Sequence, residues 1–285
     1  MTVTPNADQF EAWNGDSGHR WVATADRRDA VLAPIGDLLL ERAAVGRGEA
    51  VLDIGCGCGA TSVAAAVAAG SGGAVVGLDL SEPMLEVAHR RASVAGLSQL
   101  RFSHGDAQTH ALGRIFDVAI SRFGTMFFDD PTAAFANVAR HLRPGGRLCI
   151  ATWQPLVANE WLTVPGAALL QFGTLPEPTG EDTSGMFAQA DPMTVRAVLA
   201  AAGFVDIDST PETVPIRLGA TIDEALDHLT DSGPGRAVLE TVPEAERDAA
   251  LDAVATVLAD HYDETGVALG AAVLITAAGV SGAAP

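Results

Sequence analysis

A chain of 285 residues, 48% of them hydrophobic, carries enough apolar material for a full globular core and too much for a disordered segment. Its formal net charge is -19, from 36 acidic residues against 17 basic ones, and every basic residue is arginine. So acidic a surface repels phosphate backbones and argues against nucleic acid as a partner, while the lack of lysine excludes Schiff-base chemistry and a lysine-ended phosphate loop.

The N-terminus, MTVTPNADQFEAWNG, shows no basic region leading into an apolar core, so no secretory signal is expected. The segment Gln9 to Val45 runs from WNGDSGHRW into the amphipathic APIGDLLLERA and predicts a helical cap over residues 1–45. From Gly48 onward, strand-like and helix-like runs alternate. AVLDI (50–54) is followed by helix-forming ATSVAAAVAA (60–69), and AVVGLDL (74–80) by SEPMLEVAHRRASVAG. In that second helix Ser81 is placed to cap, Glu82 and Glu86 suit the positive end, Pro83 fits the first turn and Gly96 stops it. Then come LRFSHG (100–105), FDVAIS (116–121), a helix through DPTAAFANVARHL (130–142), and the strand GRLCIATW (146–153).

Near-continuous apolar strands separated by helices predict a parallel sheet covered on both faces. Beyond it lie a Pro/Gly-rich passage (Gln154 to Pro192), a helix over 194–203 and a strand in FVDIDS. A charged helical stretch from Thr221 to Asp260 and a last apolar strand in GVALGAAVLITA complete the chain. The reading is one compact domain: cap 1–45, core 46–153, and residues 154–285 completing the sheet, with lid insertions at roughly 154–190 and 219–264. The most apolar run, Val267 to Val280, is too short and glycine-punctuated to cross a bilayer, so no membrane insertion is expected. Three cysteines, an odd number, argue against a disulfide framework and for a reducing cytoplasm.

The densest stretch is VLDIGCGCGATS, Val51 to Ser62. Cys56 and Cys58 are too few for structural zinc, and Cys149 falls inside a strand, so no metal is expected. Asp129 and Asp130 likewise lack the spaced acids of a divalent-metal site. Gly55, Gly57 and Ala60 match the dinucleotide fingerprint after a strand, with Asp79 at the distance of a ribose-binding acid. Four features stand against that reading: Asp53 inside the strand, the additional Gly59, GDA at 105–107, and LRPGG at 142–146.

The motifs DIGCGCG, GLDLS, GDA, FDVAISRFG and LRPGGRL, in order across the middle third to half of the chain, resemble the class I S-adenosylmethionine-dependent methyltransferases. The wording of GLDLSEPML and LRPGG is most similar to the ubiquinone/menaquinone-type and related small-molecule enzymes. This resemblance implies an α/β, Rossmann-like, doubly wound seven-stranded sheet. Its last, antiparallel strand would lie within Val267 to Ala277, under a helical N-terminal cap and helical lid insertions. It also implies S-adenosyl-L-methionine as cofactor, held by Asp53, Gly55, Cys58, Gly59, Asp79, Leu80, Met84, Asp106, Ala107 and Ser121. In that scheme the glycines let backbone approach the methionine part, Asp79 accepts from ribose hydroxyls, and Asp106 with the Ala107 N–H meets adenine.

The acceptor would lie at SRFGTMFFDDP (121–131), against Arg122, Phe123 and Met126, with Trp21 of the cap closing over it and Phe127 turned into the core. His19 and His110 are the candidate general bases and His228 the third, while Arg217, Arg236 and Trp161 are candidates to face an anionic or aromatic acceptor. The function implied is methyl transfer to a small organic acceptor, oxygen foremost, releasing S-adenosylhomocysteine; a homodimer is compatible with it. The alternatives are an NAD(P)-dependent oxidoreductase using the same loop, or a non-methylating S-adenosylmethionine-binding cyclase or scaffold.

Overall fold

A computed structural model describes residues 5–175 and 185–282. Three helices come first, α1 (Ala7–Asn14), α2 (Asp16–Ala23) and α3 (Ala25–Ala43). The core then alternates β1 (Ala50–Ile54), α4 (Ala60–Ala69), β2 (Ala74–Asp79), α5 (Glu82–Val94), β3 (Leu100–His104), β4 (Phe116–Arg122), α6 (Pro131–Arg140) and β5 (Leu142–Trp153). After α7 (Glu160–Leu169) and α8 (Pro192–Ala201) come β6 (Phe204–Gly219), α9 (Ile222–Asp231), α10 (Gly233–Leu239), α11 (Arg247–Ala259), β7 (Tyr262–Asp263) and β8 (Gly266–Val280).

The sheet runs β3-β2-β1-β4-β5-β8-β6, with β1 to β5 parallel and β8 antiparallel to both its neighbours. That is the expected Rossmann-like order with its last strand reversed. The two-residue β7 pairs with β8 and adds an eighth strand to the seven expected. Period-two alternation divides each central strand between two cores. Val51, Val118, Ile120, Cys149 and Ala151 face the layer holding α3 and α4. Leu52, Ile54, Ala119, Leu148 and Ile150 face α6 and α8. Both faces are covered, which is why these strands read as unbroken apolar runs.

Three boundaries differ from the sequence reading. The strand expected in FVDIDS continues to Gly219, and its prolines Pro211 and Pro215 are tolerated because β6 is the sheet edge. The helix expected through 142 stops at Arg140, and Leu142 already opens β5. The helical stretch 221–260 is three helices, interrupted where Ser232 caps Gly233-Pro234 and again at Pro243. Part of the lid insertion expected over 154–190 lies outside the described residues. Among the described residues, no helix is long and apolar enough to cross a membrane.

Candidate functional site

The carboxyl ends of β1 to β5 open into a cavity of about 410 Å³, the size of a small-molecule site and in the position where open α/β sheets bind ligands. Its floor begins at the turn after β1. Gly55, Gly57 and Gly59 all have left-handed backbones, with φ of 64°, 53° and 83°. A Cβ on Gly55 would lie 2.7 Å from the Gly124 Cα, and one on Gly59 would lie 2.9 Å from the Ala88 Cβ. At Gly57 a Cβ would meet nothing nearer than the Met84 sulfur at 3.6 Å, and Gly57 lines the cavity. Two of the glycines therefore allow close packing behind the loop, and the third leaves room in front of it.

Three acids stand around this floor. Asp79, ending β2, accepts from the Gly57 N–H at 2.6 Å and the Ser81 N–H at 2.8 Å, one bond to each oxygen. Each oxygen retains a lone pair for a ligand hydroxyl. Burial holds the Asp79 carboxyl above its usual range, against the pull of those backbone donors. Asp106, after β3, accepts from the Gln108 N–H at 2.9 Å and from the Asn6 side-chain amide at 2.7 Å. Asn6 also exchanges two hydrogen bonds with Asp129, at 2.7 and 2.8 Å, so the start of the chain is clasped over this end of the cavity. Asp53 is fully buried beneath the loop and lifted to about 6 by that burial, against the pull of the Ser62 hydroxyl. Ser62 donates to its Oδ2 at 2.6 Å, but its Oδ1 meets no donor among the described residues.

The roof comes from the cap and the lid. Asn14 in α1 donates to the Leu80 carbonyl and accepts from the Glu82 N–H, both at 2.9 Å, which ties α1 to the end of β2. Trp13 stands edge-on to Trp21 and to Phe127, with ring centroids 5.7 and 5.2 Å apart. At the other end Phe123 stacks on Trp153 at 4.1 Å, and Trp161 tilts against Trp153 at 5.2 Å. Phe123 holds a left-handed backbone, φ 67°, which a bulky residue rarely adopts. Arg122 also faces the cavity but is occupied, donating to Asp29 at 2.7 Å and to the Leu32 carbonyl at 3.3 Å.

These features suit S-adenosylmethionine. Asp79 offers free lone pairs beside a loop whose Gly57 presents bare backbone to the cavity, Asp106 stands beside the apolar Leu80, Met84 and Ala107, and the orphaned Asp53 oxygen beneath the loop suits a ligand that brings positive charge to it. The family described as "Methyltransferase domain" matches residues 51–146. The chain is also 32% identical over 233 residues to a nocamycin O-methyltransferase of Saccharothrix syringae, covering 77% of this chain and 81% of that one. The chain belongs to the class I S-adenosylmethionine-dependent methyltransferases. A demethylmenaquinone methyltransferase of Geobacillus stearothermophilus is 31% identical over 184 residues, 61% of this chain and 79% of that protein. Among solved structures, a Haemonchus contortus phosphoethanolamine N-methyltransferase, in complex with S-adenosylhomocysteine, matches in fold. Its TM-score is 0.57–0.59 across two determinations, with 18% identity in the first, which covers 98% of this chain and 61% of that one.

Membership of this methyltransferase family displaces the oxidoreductase reading of the glycine loop. Of the methyltransferase site residues inferred from sequence, Gly55, Asp79, Leu80, Met84, Asp106 and Ala107 line the cavity. So do Trp21, Arg122, Phe123 and Met126. Cys58, Gly59 and Ser121 sit behind its wall. The Cys58 carbonyl accepts from Arg91 at 2.9 Å, and burial pushes its thiol to about 12. Ser121 donates to the Ile54 carbonyl at 2.7 Å and joins the ends of β1 and β4.

Neither proposed base reaches the cavity. His19 is exposed on α2, bonded to the Gly15 carbonyl at 2.8 Å, because the break at Gly15 turns its face of the helix outward. His110 packs under the Gly105 turn, within 2.9 Å of the Ser103 hydroxyl. Arg217 is exposed and Arg236 lies alongside Glu240, so neither lines the cavity, whereas Trp161 does. Phe127, expected in the core, lines it too. Asp129 and Asp130 serve structure: the first holds Asn6, and the second caps α6 by accepting from the Ala133 N–H at 2.9 Å.

Sequence reasoning passed over Asn6, Arg28 and Trp153 and ranked His228 third, although all four line the cavity. The Arg27-Arg28 pair was visible, but nothing local distinguishes the arginine that turns inward.

Proposed function

We propose that this methyltransferase methylates an oxygen of a small organic acceptor and releases S-adenosylhomocysteine. One observation carries the reading: the two ends of the cavity differ in chemistry. Asp79 and Asp106 mark one end, with hydrogen-bond acceptors suited to ribose and adenine. Phe123, Trp153 and Trp161 mark the other, an aromatic slot suited to a flat apolar acceptor. The O-methyltransferase among the relatives, aligned over most of both chains, supports oxygen as the atom modified.

Bound S-adenosylmethionine would supply an electrophilic methyl group on a sulfonium, with neutral S-adenosylhomocysteine sulfur as the leaving group. The protein's part is to position and enclose. Gly57, which leaves room in front of the loop, would admit the methionine portion to the backbone, and Asp79 would hold the ribose. Trp13, Trp21 and Phe127 cover the cavity and keep water away from the reacting groups. Phe123, held against Trp153, orients the acceptor.

The test is calorimetric titration with S-adenosylhomocysteine, followed by incubation with S-adenosylmethionine and a panel of aromatic phenols and acids, with mass-spectrometric detection of both products. Micromolar binding and a methyl ester or ether are expected. Binding of NAD without S-adenosylhomocysteine, or methylation confined to nitrogen, overturns the reading.

A further inference from the structure

One cation beside the glycine loop has no counter-ion among the described residues. Arg28, on the first turn of α3, lies over the Trp21 ring with its guanidinium carbon 4.0 Å from the centroid. The indole nitrogen of Trp21 stands against the loop, where a Cβ on Gly57 would lie 4.0 Å from it. Trp21 packs on Ala25, Cys58 and Met84, and Arg28 and the Cys58 thiol lie within electrostatic reach of each other. One terminal nitrogen of Arg28 donates to the Thr24 hydroxyl at 2.9 Å. Its Nε is sealed from solvent and has no acceptor among the described residues.

Neighbouring cations are treated otherwise. Arg27 pairs with Asp231, Arg91 with Asp26 and Asp29, and Arg122 with Asp29. Arg28 and Arg122 are the arginines that line the cavity, so among the described residues only Arg28 has a charge to offer a ligand there. Burial, and then Arg27, pull its pKa down, as expected of an uncompensated charge. Its field is felt nearby, since burial and then Arg28 hold His228 down to about 4. A cation taken partly out of water without a partner is costly, and a ligand anion relieves that cost. S-adenosylmethionine carries one anionic group, the carboxylate of its methionine portion. With ribose on Asp79 and adenine on Asp106, that portion passes Gly57, the residue that faces Trp21.

We propose that Arg28 binds the carboxylate of the cofactor, with its guanidinium set by the Trp21 face and the Thr24 hydroxyl. This inference rests on the cofactor placement proposed above and names the side chain that holds its free end. Strand-end residues of the core read the adenosine, while the cap, through Trp21 of α2 and Arg28 of α3, reads the amino-acid end. Arg28 is thereby a specificity-determining residue. It favours a ligand that bears the carboxylate over one that lacks it, by a charge-assisted hydrogen bond in a partly dry site.

The test is calorimetric titration with two ligands that differ only in the anion: S-adenosylhomocysteine, and its decarboxylated analogue, which keeps adenine, ribose and ammonium. Wild-type protein should bind S-adenosylhomocysteine about tenfold more tightly or better. Arg28→Gln should lose that preference by weakening S-adenosylhomocysteine alone, with the analogue within about twofold of its wild-type affinity. Arg28→Lys should keep part of the preference, because it supplies a point charge without the planar fork. A preference that survives in Arg28→Gln, or equal weakening of both ligands in that variant, overturns the proposal. Should Arg28→Gln fail to fold, Arg28→Lys decides it: a reduced preference supports the assignment and an unchanged one sinks it. Asp79→Ala separates the placement of the cofactor from the grip on its free end, since it should weaken both ligands alike. Wild-type affinity for both in that variant strikes the placement, and the inference with it. Equal binding of the two ligands by wild-type protein strikes the Arg28 inference alone.

Discussion

The Asp79 carboxylate, at the end of β2, accepts the Gly57 N–H at 2.6 Å, so the acid and the glycine loop hold each other in place before any ligand arrives. Twenty-two residues of chain separate them, and the parallel pairing of β1 with β2 brings them together. The contact joins preorganisation to the recognition proposed for this acid, since the carboxylate that fixes the loop also keeps lone pairs free for a ligand hydroxyl.

Asp79→Ala removes both functions of that carboxylate. Two charge-assisted hydrogen bonds to ribose are worth about 3 kcal/mol or more together, so S-adenosylhomocysteine should bind at least about a hundredfold more weakly. Circular dichroism should show the fold intact. Wild-type affinity in this variant, by calorimetry, would remove Asp79 from the site.

Gly55→Ala and Gly57→Ala should fail differently. At Gly55 the new Cβ collides with the Gly124 backbone at 2.7 Å, and stability should drop by about 2 kcal/mol or more as the two loops part. At Gly57 the methyl finds room against Met84, so the loss is the left-handed backbone cost of about 1–2 kcal/mol. Because that methyl enters the cavity, cofactor affinity should fall by more than stability does. Paired thermal melts and titrations check the order.

Asp53 and His228 give pH dependences of opposite sign. Asp53, raised from 3.8 to about 6, favours the folded state when protonated, so its contribution is present at low pH and lost as pH rises through 6. His228, lowered from 6.5 to about 4, is buried neutral, and the unfolded chain takes up the proton first as pH falls below 6.5. Stability from this site therefore rises with pH across that window. The two effects, each of about 3 kcal/mol at most, oppose one another between pH 4 and 6. Asp53→Asn should steepen the rise of melting temperature with pH in that range and stabilise the ligand-free protein at pH 8. His228→Gln should make stability fall with pH instead. Identical pH profiles in wild type and both variants would contradict this assignment. Asp53→Asn should also weaken S-adenosylmethionine binding, because it removes the negative charge beneath the loop.

Phe123 offers a test of backbone strain. Its ring stacks on Trp153 while its backbone sits at φ 67°. Phe123→Ala loses the packing and keeps the strain, and should cost about 3 kcal/mol or more. Phe123→Gly relieves about 1 kcal/mol of strain and should be the milder change, reversing the usual preference for alanine over glycine. Urea unfolding of the two variants decides it.

The residues of the α/β core proposed to hold the cofactor were legible in the sequence because they lie within a few positions of strand ends: Gly55 and Gly57 after β1, Asp79 ending β2 and Asp106 after β3. Parallel strands in register carry such residues to one sheet edge, so reading the strands amounted to placing the site. Ser121 and Cys58 fell just behind the wall for the same local reason, since alternation and a tight turn point neighbouring residues in opposite directions.

The rest of the cavity had no such signature. Arg28, Trp153, Trp161, Ile216 and His228 line the cavity from five separate elements, and no spacing along the chain records that convergence. Arg27 and Arg28 are adjacent and chemically identical. A helix turns about 100° per residue, so one reaches outward to Asp231 while the other faces the cavity over Trp21. Sequence alone determined the α/β core, its strand-end motifs and the cofactor they hold, because hydrogen-bonded strands convert local pattern into position. Only the packing of cap and lid helices decided which arginine turns inward over Trp21 and which histidine is buried and kept neutral, because burial and charge pairing belong to the assembled surface.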